Sequence, residues 1–192
     1  MTDICVHGLG YIGLPTATIF AHSEYDVVGF DTNPEVISAL QNGEVHFDEP
    51  GLQEFVTEAI ESKGLSVKSD PVPADVHIIC VPTPFDDAEK QADLGYVATA
   101  GETVSDLLKE GDLVILESTV PPTTTESVLQ PQLEKSNLVA GRDFGLAHCP
   151  ETVLPGNMIT ELRENDRVIG GIDQESIEQT VELYHSFVEG EI

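Results

Sequence analysis

The stretch Ile4-Cys5-Val6-His7-Gly8-Leu9-Gly10-Tyr11-Ile12-Gly13 decides how this chain folds. A short apolar run enters three glycines spaced Gly-x-Gly-x-x-Gly, and a helical pattern opens at Gly13. The spacing alone is weak; placed between a strand and a helix it is far more specific, because each glycine has its own task. Gly8 permits the tight turn, Gly10 lets the backbone approach a pyrophosphate, and Gly13 lets the helix pack on the strand. The helix start then offers free N–H groups and the positive end of its dipole to an anion.

The second half of the pattern follows at once. Val27-Val28-Gly29-Phe30 reads as the next strand and ends in Asp31, about 20 residues past the glycines. A carboxylate there can accept hydrogen bonds from ribose hydroxyls, and it would repel a 2′-phosphate. Thr32-Asn33 supply no cation to offset that repulsion, so the pattern favours NAD over NADP. The rival readings are a glycine turn followed by an N-cap Asp, and a SAM- or FAD-binding fold.

Outward from this unit, short apolar runs alternate with longer amphipathic ones. Strands are expected at 4–7, 27–30, 65–68, 76–81, 113–117 and 144–148, with another through Val168 and Ile169. Helices are expected at 13–22, 34–41, 51–63, 96–109, 123–135 and 174–188. Several strands are apolar at nearly every position, as in His77-Ile78-Ile79-Cys80-Val81, which suits strands buried on both faces of a parallel sheet. Strand–helix alternation predicts an α/β fold with a doubly wound parallel sheet, a Rossmann-type domain over 1–192. The prolines at 82–84, 121–122 and 150–155 sit just after strands, where such a sheet binds ligands. The pair at 71 and 73 reads as ordinary turn punctuation.

Charge narrows the function further. The chain of 192 residues carries 35 acidic and 8 basic residues, a net charge of -27. The acids are dispersed, as at Glu24, Asp26, Glu58, Glu61, Glu89, Glu126, Glu134, Glu178 and Glu182, and so read as solvated faces. Nucleic-acid binding is disfavoured, since phosphates need cations. Like charges at this density repel unless salt screens them, which predicts a protein of a salt-rich cytoplasm. No apolar run reaches the roughly 18 residues of a membrane span, and the start Met-Thr-Asp-Ile-Cys-Val has no basic leader, so a cytoplasmic location is expected. Cys5 and Cys80 lie in apolar strand runs and read as small core residues. No CxxC pair or Cys/His cluster is visible along the sequence, so no metal is expected.

The segments Gly8–Pro15 (GLGYIGLP), Gly43–Leu52 (GEVHFDEPGL), Val81–Pro84 (VPTP), Ser118–Pro122 (STVPP), Cys149–Gly156 (CPETVLPG) and Asn165–Gly171 (NDRVIGG), in this order, resemble the UDP-glucose/GDP-mannose dehydrogenase family. The last two, with His148 before them, are most similar to its UDP-N-acetyl-D-mannosamine dehydrogenase branch. The resemblance implies an NAD-dependent, homo-oligomeric enzyme oxidising the C6 alcohol of a UDP-sugar to a carboxylate with two NAD. A cysteine thiolate would trap the intermediate aldehyde, splitting a four-electron oxidation into two steps.

The same resemblance assigns positions. Tyr11 and Ile12 would lie over the pyrophosphate, with Asp31 on the ribose. Val81, Pro82 and Thr83 would run beside the adenosine half, and Ser118 and Thr119 near the nicotinamide. Thr119 could bond the cofactor or a catalytic water. Thr83 and Thr119 can equally be strand-end turn caps. Glu151 matches the family's active-site glutamate, able to orient or deprotonate a water; its plainer reading is a loop carboxylate bonding backbone N–H groups. Thr152, Val153 and Leu154 would line the sugar-nucleotide site, with Gly156 allowing close approach. Thr152 stands where members usually carry Arg, which puts substrate affinity or identity in question. Cys149 reads as packing, since the family's nucleophilic Cys, Lys and Asn lie on later elements. Phe187 and Val188 should close a helix leading toward them. The expectation is therefore a chain that binds NAD and does not turn over alone. The alternatives are a non-catalytic nucleotide-binding or regulatory module, and another NAD-dependent oxidoreductase.

Overall fold

The computed structural model describes residues 3–88 and 90–192. Met1 and Thr2, part of the start read above as lacking a basic leader, and Glu89, counted among the dispersed acids, lie outside the described residues.

In chain order, β1 (Ile4–His7), α1 (Gly13–His22), β2 (Val27–Phe30), α2 (Pro34–Gln41), α3 (Leu52–Glu61) and β3 (Leu65–Lys68) form the first half. Then come β4 (Val76–Ile79), a hairpin of β5 (Phe85–Asp86) and β6 (Gln91–Ala92), α4 (Gly95–Ser105) and β7 (Leu113–Leu116). The chain continues through α5 (Gln130–Leu133), β8 (Gly145–His148), α6 (Met158–Glu164), β9 (Gly170–Gly171) and α7 (Gln174–Tyr184).

Seven strands make one sheet in the order β3-β2-β1-β4-β7-β8-β9. All neighbours are parallel except β9, which runs antiparallel to β8. Every residue of β1 and β7 is buried, as their unbroken apolar runs require. Ile4, Val6, Leu14, Phe20, Leu183 and Tyr184 build the core on one face, under α1, α3 and α7. Ile79, Val97, Val104, Val114, Leu116 and Leu133 build it on the other, under α4 and α5. The order reverses between β1 and β4, and the crevice outside the carboxyl ends of those two strands is where an open α/β sheet binds its ligand.

The expected fold class stands. The segment expected as one helix over 123–135 is instead a wide π turn (Thr125–Leu129), a turn of α-helix and a 3-10 turn (Glu134–Ser136). Pro131 has no N–H to donate and its ring crowds the preceding turn. The Gln130 N–H reaches back five residues to the Thr125 carbonyl, the register of a π turn. The strand expected through Val168 and Ile169 lies two residues later, as the antiparallel edge β9. The last helix stops at Tyr184 rather than 188; Phe187 and Val188 fold back into the core, Phe187 at 4.9 Å from the Phe20 ring. The β5–β6 hairpin and α6 were not expected, because the first is two residues per strand and the second spans only two turns.

Candidate functional site

The glycine turn is built by exclusion. A Cβ on Gly8, whose φ is +94°, would sit 2.4 Å from the Cys80 carbonyl oxygen. One on Gly13 would sit 1.9 Å from the Gly8 carbonyl oxygen and 2.9 Å from the Cys80 Cβ. Both contacts are with backbone or the adjoining strand end, so neither neighbour can yield. Nothing lies within 4 Å of a Cβ on Gly10, which borders open space. No side chain caps α1 and no acid stands in its first turn, so the positive end of its dipole is unopposed there; the Leu14 N–H already donates to the Gly10 carbonyl at 3.1 Å.

Asp31 is fixed against this turn. Its Oδ2 accepts the Leu9 N–H at 2.7 Å and its Oδ1 the Asn33 N–H at 2.8 Å. Asn33 in turn caps α2, accepting the Glu35 N–H at 2.9 Å. A crevice of about 860 Å³ opens here, and its wall includes Gly8, Gly10, Tyr11, Ile12, Asp31, Val81, Pro82, Thr83, Ser118 and Thr119. The fold thus brings together every residue expected to touch a dinucleotide except Gly13, which is buried in the packing behind the turn. The opposite wall was not expected: Tyr96, Thr99 and Thr103 project from α4, and Thr32, Asn33 and Val36 extend the Asp31 side. Tyr96, Thr99 and Thr103 fall at helical spacing, a signal without chemistry until β4 and α4 are placed.

Two expected ligands have their hydroxyls occupied by the chain. Ser118 Oγ donates to the Val81 carbonyl at 2.8 Å and accepts the Val81 N–H at 2.9 Å, splicing the ends of β4 and β7. Thr83 Oγ1 donates to the Thr119 carbonyl at 2.8 Å, the strand-end cap. Thr119 itself is exposed at the crevice.

Residues 151–154 do not line the crevice; they follow β8, the neighbour of β7. Both carboxylate oxygens of Glu151 are engaged. Oε1 accepts the Thr152 and Val153 N–H groups at 2.6 and 3.0 Å, and Oε2 faces Arg167 Nη1 at 2.7 Å. Arg167 also lies 4.0 Å from Glu117, a wholly buried carboxylate that accepts from Cys80 Sγ at 3.0 Å and from Tyr184 Oη at 3.1 Å. Burial, and then the charge of Glu151, push Glu117 up to about 7, with Arg167 opposing. Glu117 and Arg167 carried no signal of their own: one ended an apolar strand and the other sat inside a short motif. Thr152 and Leu154 are exposed, Leu154 at 67%, and Val153 packs against the core.

Another missed residue joins the two regions. Glu49 is buried and accepts the Tyr11 hydroxyl at 2.7 Å, the Gly156 N–H at 2.9 Å and the Met158 N–H at 3.0 Å. Against the cost of burial, those donors hold its carboxyl below the usual range. One carboxylate therefore ties the glycine turn to the loop that carries residues 151–156.

A Cys/His grouping that the sequence does not display appears in the fold. Cys5, His7 and His77 each place a ligand atom within 4.8 Å of the others. Parallel pairing sets Cys5 beside His77, an adjacency that a sequence separation of 72 positions conceals. Cys80 and Cys149 are buried as expected. No helix among the described residues is long and apolar enough to cross a membrane.

Comparison with known proteins agrees with this geometry. Residues 2–188 match the NAD-binding domain of the UDP-glucose/GDP-mannose dehydrogenase family. A UDP-N-acetyl-D-mannosamine dehydrogenase of Methanococcus maripaludis is 48% identical over 98% of this chain and 43% of its own length. The structure of a UDP-N-acetyl-mannosamine dehydrogenase from Staphylococcus aureus superposes with a TM-score of 0.94 at 43% identity, over 98% of this chain and 46% of that one. A ternary complex of a GDP-mannose dehydrogenase from Pseudomonas aeruginosa superposes at 0.89 with 28% identity, over 100% of this chain and 45% of that one. The chain spans less than half the length of these relatives.

Proposed function

Because this chain belongs to the UDP-glucose/GDP-mannose dehydrogenase family through its NAD-binding domain, we propose that the crevice at the β1–β4 junction binds NAD. The pyrophosphate would rest on the turn from Gly8 to Gly13, beneath Tyr11 and Ile12. Asp31 would hold the adenosine ribose through the lone pairs that Leu9 and Asn33 leave free. Val81, Pro82 and Thr83 would flank the adenosine half, and Ser118 and Thr119 the nicotinamide. The observation that carries this reading is convergence: a glycine turn leading to an uncapped helix start, an acid pinned to that turn and two strand ends meet at one crevice of about 860 Å³.

The reading extends to the whole protein as a cytoplasmic, homo-oligomeric dehydrogenase. It would oxidise the C6 alcohol of a UDP-sugar, UDP-N-acetyl-D-mannosamine, to the uronate with two NAD. Thr152, Val153 and Leu154 would border the sugar nucleotide. Glu151, with both oxygens held, suits orienting a water better than abstracting its proton. The described thiols are poor nucleophiles: burial pushes Cys5 up to about 11, Cys149 up to about 12 and Cys80 well above its ordinary value. By itself the chain is expected to bind NAD without producing NADH from the UDP-sugar.

Diffraction from crystals soaked with NAD tests the site. The expected density places the pyrophosphate at Gly10 and the adenosine ribose at Asp31. Density lodged elsewhere, or steady NADH formation from UDP-N-acetyl-D-mannosamine by these 192 residues, would contradict the reading.

A further inference from the structure

Cys5 and His7 alternate along β1 and so face the same side of the sheet. The register places His77 of β4 directly beside Cys5. His7 Nε2 lies 3.0 Å from His77 Nδ1, and all three side chains are buried, at 0%, 1% and 0% exposure. Val28, Ala74, Phe30 and Val72 pack around Cys5.

Proton accounting leaves this pair incomplete. Two neutral imidazoles carry two N–H groups, and the bond between the rings uses one. The other must sit on His7 Nδ1 or His77 Nε2, and neither atom has a partner. What the fold supplies is convergence: Cys5 Sγ and one ring nitrogen of each histidine lie within 4.8 Å of one another.

We propose that Cys5, His7 and His77 form a binding site for a soft d10 metal ion, Cu(I) or Zn(II), in the sheet beneath the crevice. Thiolate and imidazole are the ligands such ions prefer. With metal–nitrogen bonds of about 2.0–2.1 Å, two nitrogens on a tetrahedral ion lie roughly 3.3 Å apart. The observed 3.0 Å is within a small ring adjustment of that. Binding converts the Cys5 thiol to thiolate and releases one proton to solvent, and the proton between the rings shifts to the outer nitrogen of its own ring, so that His7 Nδ1 and His77 Nε2 each carry one; no oxidation state changes. One thiolate and two neutral rings leave a Cu(I) complex uncharged and a Zn(II) complex with one positive charge. Burying net charge among apolar side chains is unfavourable, so Cu(I) should bind more tightly. His7 also forms part of the crevice wall, which gives the ion a path inward.

The test is an anaerobic titration of the reduced chain with Cu(I) against a chromogenic Cu(I) chelator, and with Zn(II) against a fluorescent indicator. The expected result is one equivalent bound, with affinity reduced at least tenfold in Cys5→Val and in His77→Val and retained in Cys149→Ala and His185→Gln. Cys5→Ser, which keeps the volume and loses the soft ligand, stands in should Cys5→Val fail to fold. The bound ion should also raise the Tm of the parent chain and leave that of the folded Cys5 and His77 variants unmoved. Absence of a stoichiometric site for either ion, or equal binding by these variants, would overturn the proposal.

Discussion

The N–H of Leu9 donates to Asp31 Oδ2 at 2.7 Å, so the acid at the tip of β2 is tied to the glycine turn beside β1. The carboxylate proposed for the ribose is thus positioned by the loop proposed for the pyrophosphate. With Oδ1 on the Asn33 N–H, its orientation is set before any ligand arrives. Preorganisation of this kind lowers the ordering cost of binding.

The three glycines should separate folding from binding. Gly13→Ala drives a Cβ into the Gly8 carbonyl, an overpacking that costs about 1–3 kcal/mol or more. Gly10→Ala meets nothing within 4 Å and should stay within roughly 0.5 kcal/mol of the parent. Its methyl nevertheless projects where the pyrophosphate is proposed to approach. Urea denaturation with NAD calorimetry should find Gly10→Ala stable with weakened binding, and Gly13→Ala destabilised. Unimpaired NAD binding by Gly10→Ala would count against the placement of the pyrophosphate.

Glu49 should hold the 151–156 loop in place. Glu49→Ala strands the Tyr11 hydroxyl and the Gly156 and Met158 N–H groups, at about 1–3 kcal/mol for a donor that stays buried. Hydrogen exchange at Gly156 and Met158 should accelerate markedly in this variant. Unchanged exchange there would show that the carboxylate is not what orders the loop.

Glu117 gives a pH signature with a definite sign. Its folded value near 7 lies above its ordinary 4.5. The stability it contributes is therefore complete below about 4.5 and is lost as pH rises through about 7. Burial depresses His7 to about 3 and His77 to about 4, and they act oppositely: their contribution is complete above 6.5 and is lost as pH falls toward those values. Comparing the parent with Glu117→Gln cancels the histidines. The stability advantage of the parent over that variant should shrink between pH 5 and pH 7.5. An advantage that grows over this interval would mean that Glu117 stays ionised in the fold.

Much of this architecture is legible in the chain itself. Glycines 8, 10 and 13 and Asp31 act through local geometry, so spacing reveals them. The residues expected along the crevice do line it, because each lies in the glycine turn or just past a strand end. Residues whose meaning depends on distant partners stayed hidden. Glu49 is one acid in an acidic sequence until the fold brings Tyr11 and Gly156 to it. Arg167 shows its weight only when it stands between Glu151 and Glu117. His77 is an ordinary strand residue until β4 is laid against β1 in register with Cys5. The helix expected over 123–135 failed for a local reason in plain view, Pro131, which apolar periodicity does not weigh.

The surface should respond to salt. With a net charge of -27, self-repulsion opposes the compact state, and at 1 M ionic strength it is screened beyond about 3 Å. The Tm is expected to rise between low-salt buffer and molar KCl. A flat or falling Tm would remove the reading of a protein suited to a salt-rich interior.

The most direct measurement is calorimetric titration of the chain with NAD and with NADP, repeated on Asp31→Ala. The expected result is binding of NAD at least tenfold tighter than NADP. In Asp31→Ala the affinity for NAD should fall by roughly 10–100-fold, as loss of charged hydrogen bonds of about 1.5–3 kcal/mol implies. The gap between the cofactors should narrow in the same variant. Equal binding of NAD and NADP by the unmutated chain, or an Asp31→Ala variant indistinguishable from it, would contradict the central claim.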